Sequence, residues 1–593
     1  MSIENLITDH LETWTTAQVP KKSGGRGRGK KTNGQNSYGI NKLRELILEL
    51  AVRGKLVPQD PNDEPAPELL KKIATERARL VKDGKIKKHK PLPDISEDEK
   101  PFELPNGWEW SRLVNVIEVI RGITFPSSEK SKIPEDGRVA CLRTSNVQNR
   151  IEWEDILYIR RQFVKRKDQY IQINDIVMSM ANSRELVGKV AIIEKQPPLD
   201  TAFGGFLGVL RPTILNPFYV MLLLRVPMNR RLLIDGANQT TNIANISIAN
   251  LNPLVLPIPP LAEQHRIVDK VDELMALCDK LEQEQTNNSE THQLLVKTLL
   301  DTLTHAKDHQ DFIETWQQIE KNFDILFTTE ASIDELKQTI LQLAVMGKLV
   351  PQDPNDEPAS VLLEKIAKEK ARLVKEGKIK KQKPLPPIGE NEKPFELPMG
   401  WERVSLRHLG IFSGGKTPSK AKSVYWDGDI PWVTSKDMKV KHIIGSEDHV
   451  TQRAIEDGLA IYHPEAILFV VRSGILRHSF PVAVTKVDCT VNQDIKVLSL
   501  FLADLSPYIY LMMRGFEKYI LLNLSKSGMT VESIMFQEFS DHYFILPPLT
   551  EQYRIVAKVD ELMAICDSLK ERLNDAQTTQ VQLADAILGQ VAS

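Results

Sequence analysis

GKLVPQDPNDEPA occupies residues 54–66 and returns, letter for letter, at 347–359. Outward from it, residues 40–113 align with 333–406 without a gap at an offset of 293, and 53 of the 74 positions are identical. The runs GKIKK and EKPFELP belong to both copies. A second block repeats further on: PPLAEQHRIVDKVDELMALCDKL begins at Pro259 and PPLTEQYRIVAKVDELMAICDSL at Pro547. Between these near-copies, residues 108–258 and 401–546 hardly resemble each other. A chain that keeps its frame twice and varies its inserts presents two different surfaces in one fixed geometry. That points to recognition rather than chemistry.

A chain of 593 residues should form several domains, each able to bury its own core. With 41% hydrophobic and 26% charged residues, the composition is that of a soluble globular protein. No apolar run approaches the length of a membrane-spanning helix, so no membrane partner is expected. MSIENLITDHLETW carries acids and lacks an apolar core, unlike a signal peptide. Cys141, Cys278, Cys489 and Cys566 show no CxxC pairing. Cys278 and Cys566 fall at equivalent positions of apolar helical patterns, which fits small core residues in a reducing cytoplasm. The histidines are scattered without zinc-ligand spacing, so no metal site is expected.

The net charge of −2 hides an asymmetry. Residues 108–258 hold 19 Lys and Arg against 14 Asp and Glu, whereas 401–546 hold 16 of each. This is a weak electrostatic footprint for nucleic acid. If DNA is the ligand, a partner should supply much of the phosphate contact.

Residues 1–39 read as an N-terminal helix followed by PKKSGGRGRGKKTNGQNS at 20–37, a Gly/Lys/Arg-rich linker expected to be disordered. Residues 40–107 and 333–400 read as paired helical and extended segments. In each, an amphipathic helix ends at a glycine (Gly54, Gly347), and Pro65 or Pro358 sits near the start of a second, mixed-charge helix. The KPLP and EKPFELP stretches that follow are extended. In 259–332 and 547–593 the apolar residues step by four and three. Ile267, Val271, Leu274, Cys278 and Leu281 form one such seam; Ile555, Val559, Leu562, Cys566 and Leu569 form the other. The 288 offset continues to the chain end, pairing Leu295 with Leu583 and Leu299 with Ile587. LETW at 11–14 resembles IETW at 313–316, so the repeat reads as circularly permuted, with its beginning and end meeting in space. Helical residues 262–284 would span roughly 35 Å, close to one turn of B-DNA. Two inserts held on such a ruler could read two unlike half-sites.

The chain resembles the specificity subunit of type I restriction-modification enzymes over nearly its whole length. The marks are LPIPPLAEQHRIV from Leu256 and LPPLTEQYRIV from Leu546, each closing an insert before a long helix. GWE at Gly107–Glu109 and at Gly400–Glu402 opens each insert, and FSGGKTPS at 412–419 with YWDGDIPWVTSKDM from Tyr425 also fits. Residues 40–113 and 333–406 are long for the family and suggest an extended subgroup. The resemblance implies an α/β protein. Two mixed α/β target recognition domains, 108–258 and 401–546, would be joined by long antiparallel coiled-coil helices in a pseudo-twofold, circularly permuted repeat. It implies double-stranded DNA as ligand, two adenine-N6 methyltransferase subunits docked on the frame, and ATP-dependent restriction and translocase subunits. S-adenosylmethionine, ATP and Mg would belong to those partners, with no cofactor and no catalytic residue in this chain.

Three catalytic patterns compete with that reading. Gly410 to Thr417 matches GxxxxGK[ST], a phosphate-cradling loop when a buried strand precedes it and a helix follows. RVSLRHLG is a poor buried strand, and Pro418-Ser419-Lys420 is loop-like. Asp429-Ile430-Pro431-Trp432 nearly matches the [DNS]PP[YFW] loop of amino-methyltransferases, with no glycine-rich cofactor loop before it. Pro93-Asp94 and Asp98-Glu99-Lys100 resemble a nuclease signature, yet the second copy has Asn391 in place of Asp98.

Base readout needs Arg, Lys, Asn, Gln, Ser or Thr on loops that reach a groove. The first insert offers Arg143-Thr144-Ser145-Asn146, Asn182-Ser183-Arg184 and Asn238-Gln239-Thr240-Thr241. The second offers Gly414-Gly415-Lys416-Thr417, Ser435-Lys436, Arg472-Ser473, Asn492-Gln493 and Lys526-Ser527. The same residue types also cap turns and helices. A protein-binding scaffold and an NTPase built on Lys416 stand as alternatives, the first favoured by the balanced charge of 401–546.

Overall fold

The computed structural model describes residues 3–18, 37–197, 199–239, 243–306, 309–380, 397–528 and 531–592. The basic stretch 20–36 and Thr240-Thr241 lie outside them. The chain divides into two compact units, residues 1–289 with 575–593, and residues 290–574.

In the first unit the expected amphipathic helix is Tyr38–Val52, and in the second it is Glu330–Val345. Each chain turn after it needs a glycine. Gly54 and Gly347 have φ of 66° and 70°, and an added Cβ would lie 2.4 or 2.6 Å from Pro105 or Pro398. The mixed-charge helices follow as Ala66–Lys82 and Ala359–Lys375, each with a proline just before its first residue. Their apolar residues face inward: Leu69 and Ile73 are buried in one, Leu362 and Ile366 in the other.

Each insert opens and closes on a two-stranded antiparallel neck. Glu109–Arg112 pairs with Val255–Ile258, and Glu402–Ser405 pairs with Tyr543–Leu546. Above the neck, each insert carries three sheets. The first insert has Ile117–Arg121, Leu207–Pro212, Ile176–Ser179 and Val190–Ile192 in one sheet, with Leu157–Arg160, Arg138–Leu142 and Thr201–Phe203 in a second. The second insert has a five-stranded sheet starting with Gly410–Gly414, and a three-stranded one centred on Trp426–Val433. The third, smallest sheet orders Asn238–Gln239, Ala244–Asn245 and Ala181–Asn182 in one insert. Its counterpart orders Arg472–Ser473, Glu532–Ile534 and Ser525–Lys526. Sheets and helices are therefore mixed in both, as expected.

The two seam helices are longer than their apolar pattern. Leu261–Thr304 and Leu549–Ala592 each run for 44 residues, so the ruler of 262–284 is only part of one helix. At about 1.5 Å per residue, 44 residues are roughly 66 Å long. Beyond Thr304 the segment to 332 is not one more stretch of seam but separate shorter helices, including His309–Lys321. The seams are buried chiefly within each unit's own core. Ile267, Val271, Leu274, Cys278 and Leu281 share a core with Ile40, Leu43 and Ile47, and Arg44 bonds Asp279 and Glu282 at 2.7 Å. Ile555, Val559, Leu562, Cys566 and Leu569 do the same with Ile333, Leu336 and Ile340.

Residues 575–592 of the second long helix complete the first unit. Ala584 and Ile587 are buried in the core that holds Trp14, and the Tyr38 hydroxyl donates to Asp585 at 2.7 Å. Val296 and Leu300 fill the matching places in the second unit. The beginning and end of the chain thus meet, as the permuted repeat requires. The LETW likeness is only partial, because Trp14 is fully buried while Trp316 is 38% exposed. All four cysteines are free and buried. Burial raises the Cys141 thiol to about 12 and the Cys278 thiol to about 11, so both stay protonated core groups.

Candidate nucleic-acid interface

The joint between each insert and its long helix is built from EQxRIV. Glu263 and Gln264 are buried, as are Glu551 and Gln552. Trp108 donates its Nε1 to Glu263 at 3.0 Å, and Trp401 donates to Glu551 at 2.9 Å. Gln59 and Gln352 donate to the same glutamates and to the carbonyls of Gly54 and Gly347. Arg266 pairs with Asp63 at 2.7 Å, and Arg554 pairs with Asp356 at 2.5 Å. Burial raises both glutamate pKa values, and the indole donors oppose that shift. These residues served as sequence landmarks, but their role is mechanical: they fix the direction in which each insert leaves its helix.

The smallest sheet of each insert gathers candidates that are far apart in sequence. Asn238 pairs with Asn245, and Asn245 pairs with Ala181. In the second insert Arg472 pairs with Ser533, and Ser533 pairs with Lys526. Residues directly opposite across strands project from the same face. Arg472 and Lys526 are both exposed, and neither has an ion-pair partner among the described residues. Asn245 and Ser533 sit on the middle strands and were missed, because NISI and VESI read only as ordinary strand sequence. Arg184 is exposed and reaches Asp235 at 3.3 Å across the same region. Asn182 accepts from the Ser183 amide at 2.9 Å.

A second set follows the end of each middle-sheet strand. Ser145 is exposed after Arg138–Leu142, and Lys436 is exposed after Trp426–Val433, 3.5 Å from Glu447. Thr144 and Ser435 are half-buried beside them. Arg143 is committed internally, donating to the Asp155 carboxylate and to its carbonyl at 2.7 Å. Asn146 is not placed to read DNA. It is buried, accepts from the Arg143 amide at 3.1 Å and donates to the carbonyls of Glu152 and Glu154. Asp437 performs the equivalent capping for Thr434 at 2.8 Å. Asn492 is likewise buried and accepts from the Asp494 amide at 3.1 Å, holding the turn that exposes Gln493. Ser473 caps the turn beginning at Gly474, accepting from Ile475 at 3.4 Å. Ser527 is exposed beside Lys526.

The Gly410–Thr417 match lacks the context of a phosphate loop. Gly410–Gly414 is a strand paired with Ile495–Leu500, and the next regular element is the three-residue turn Ser423–Tyr425, not a helix. Gly415 is required for another reason: a Cβ there would lie 2.0 Å from the Asn492 carbonyl. Half-buried Thr417 bonds Gln493, which is exposed as Lys416 is, so the three lie together. Asp429-Ile430-Pro431-Trp432 lies inside a strand, with Trp432 buried and its Nε1 donating to the Lys416 carbonyl at 3.2 Å. It is a core element rather than a substrate loop. No cluster of three or more metal-ligating side chains is found among the described residues. Among them, too, no helix is long and apolar enough to cross a membrane.

The family model for the type I restriction modification DNA specificity domain matches residues 105–290 and 398–577. Each match begins just before a neck and ends within a long helix. The chain belongs to the type I restriction-modification specificity-subunit family. It is 42% identical to the EcoAI specificity subunit of Escherichia coli, covering 99% of both chains. It is 40% identical to the EcoEI specificity subunit of Escherichia coli, again over 99% of both. The crystal structure of the HsdS subunit from Thermoanaerobacter tengcongensis aligns with a TM-score of 0.40 at 17% identity, covering 83% of this chain and 98% of that one. Two copies of the specificity domain, one per unit, thus occupy the two divergent inserts and the first part of the helix that follows each.

Proposed function

We propose that this chain recognises double-stranded DNA and scaffolds a type I restriction-modification complex. Each recognition domain reads one half of an asymmetric, two-part site. The long helices set the gap between the halves and dock two methyltransferase subunits, which restriction and translocase subunits join. The complex would methylate adenine N6 and cut DNA with ATP, drawing S-adenosylmethionine, ATP and Mg into the partners. This chain would bind and orient in the cytoplasm, without catalysing.

The observation that carries this reading is the pair of unlike surfaces on matching joints. Arg472, Ser533 and Lys526 form a cationic row on the smallest sheet of one insert, where the other presents Ala181 and Asn245. Arginine and lysine suit guanine edges or phosphates, and asparagine suits adenine. A protein-scaffold reading draws on the balanced charge of 401–546, which holds 16 basic and 16 acidic residues. It expects no DNA retention even with partners bound.

Exchange of residues 108–258 for the insert of another family member separates the readings. The two-reader arrangement expects one half-site to change while the other half and the gap persist. A change in both halves would sink it. Four residues added after Glu282, about one helical turn, should lengthen the tolerated gap. An unchanged gap would remove the helices from that role.

A further inference from the structure

The recognition domains carry little net charge, yet each stands beside a repeated arm that is strongly basic. Residues 66–90 hold nine Lys and Arg against three Asp and Glu, and residues 359–383 hold the same nine against three. In both copies the charge gathers where the helix stops and GKIKK begins, at residues 84–88 and 377–381, the second described as far as Lys380. Gly84 and Gly377 make the turn there at φ of 68° and 71°, with no atom within 4 Å of an added Cβ. The turn is therefore open to solvent on its outer side. Lys87, Lys88 and Lys90 are exposed, and none has an ion-pair partner among the described residues. Lys375 and Lys380 are in the same state in the second copy.

The first arm is held to its recognition domain. Glu118 of the neighbouring strand accepts from Arg77 at 3.1 Å and lies 3.2 Å from His89. Arg112 then grips the chain just beyond, donating to the Pro93 carbonyl at 2.9 Å and to Glu99 at 2.9 and 3.0 Å. Between arm and domain lies a cleft of about 840 Å³ that Lys85, Lys87 and Arg121 line. Its acids are all ion-paired: Glu76 with Arg79 at 2.6 Å, Glu118 with Arg77 at 3.1 Å and Asp168 with Arg166 at 3.1 Å. A cleft whose acids are paired, and whose Lys87 and Arg121 have no ion-pair partner among the described residues, suits a polyanion.

We infer that the two GKIKK turns are phosphate grips that hold the DNA backbone beside each recognition domain, independently of base sequence. The inference rests on the DNA-recognition reading and adds to it a source of affinity outside the inserts. An identical charge in both copies fits this role, because phosphates are the same at every sequence while half-sites differ.

The test uses the full chain with its methyltransferase subunit and a fluorescent duplex of arbitrary sequence. Lys85, Lys87, Lys88 and Lys90 are changed to Gln together, with the four Lys→Arg changes as a charge-keeping control. The Gln variant should bind about 10-fold or more weaker near physiological salt, and the slope of log affinity against log salt should fall by about 0.9 per phosphate lost. The Arg variant should behave as the unchanged chain, and the methylated motif should stay the same in all three. Unchanged affinity and slope would overturn the inference and leave DNA recognition standing. Loss of the methyltransferase subunit with the slope intact would assign the turns to a protein surface and overturn it too. No salt-dependent binding by the unchanged chain would instead overturn the recognition reading on which it rests.

Discussion

Trp108 and Trp401 sit in the same surroundings, each donating its indole to a buried glutamate, at 3.0 and 2.9 Å. Two positions further on, at Trp110 and Arg403, the two copies part. Arg112 clamps Glu99 and the Pro93 carbonyl, whereas Ser405 stands at its place and donates its hydroxyl to the Ser540 carbonyl at 2.8 Å. Divergence begins where the chain leaves the joint. Beyond that point one insert presents a row of Arg472, Ser533 and Lys526, and the other Ala181 and Asn245. The frame residues are thus held by the same packing in both copies, while the two inserts present unlike rows.

The comparison breaks most plainly at the joint. Trp108→Ala and Trp401→Ala should each cost about 3–5 kcal/mol, the range for a buried tryptophan, and each strands a buried glutamate. Urea denaturation of the two variants should give similar losses. A large inequality would mean that the two joints are alike only in sequence.

A smaller effect sharpens the division between holding and reading. Asn146→Ala should lose about 1–3 kcal/mol in the same assay, because buried amide partners are left unsatisfied. Ser145→Ala, one residue away and exposed, should stay within about 0.5 kcal/mol and alter only DNA binding. Equal losses would contradict the roles assigned to them.

The Arg112–Glu99 clamp of the first copy should show in acid. Arg112 and the Ser96 amide and hydroxyl pull the Glu99 carboxyl down to about 2. A depressed acid contributes stability above its unfolded value, near 4.5, and loses it as pH falls toward about 2. Glu99→Gln should therefore flatten that part of the acid limb, followed by circular dichroism. An acid limb identical to the unchanged chain would show that the clamp does not contribute. The smallest expected effect is at Lys416. Lys416→Ala should change DNA affinity only a few-fold, about one phosphate contact, with no nucleotide binding to lose.

The frame was legible because repetition and apolar spacing both report packing, and packing dominates it. The seam residues, the glycine-ended helices and the closing of the chain on itself all follow from that. The helix length was hidden by EQEQTNNSETHQ at 282–293, a polar stretch inside one continuous helix. The apolar pattern lapses there because the helix leaves the core of one unit before joining the core of the other. The candidate reading residues were only partly legible. Asn146 and Asn492 have suitable chemistry but spend it on their own turns, while Ser533 gains its place only from strand register. Residue type names what a side chain can bond; only the fold decides what it has left to offer.

The most direct measurement of the central claim is the pattern of methylated adenine in cells that co-express this chain and its methyltransferase subunit, mapped by single-molecule sequencing. The account predicts one asymmetric motif of two unlike parts with a fixed gap. A symmetric motif, or no motif with both subunits soluble and associated, would contradict it.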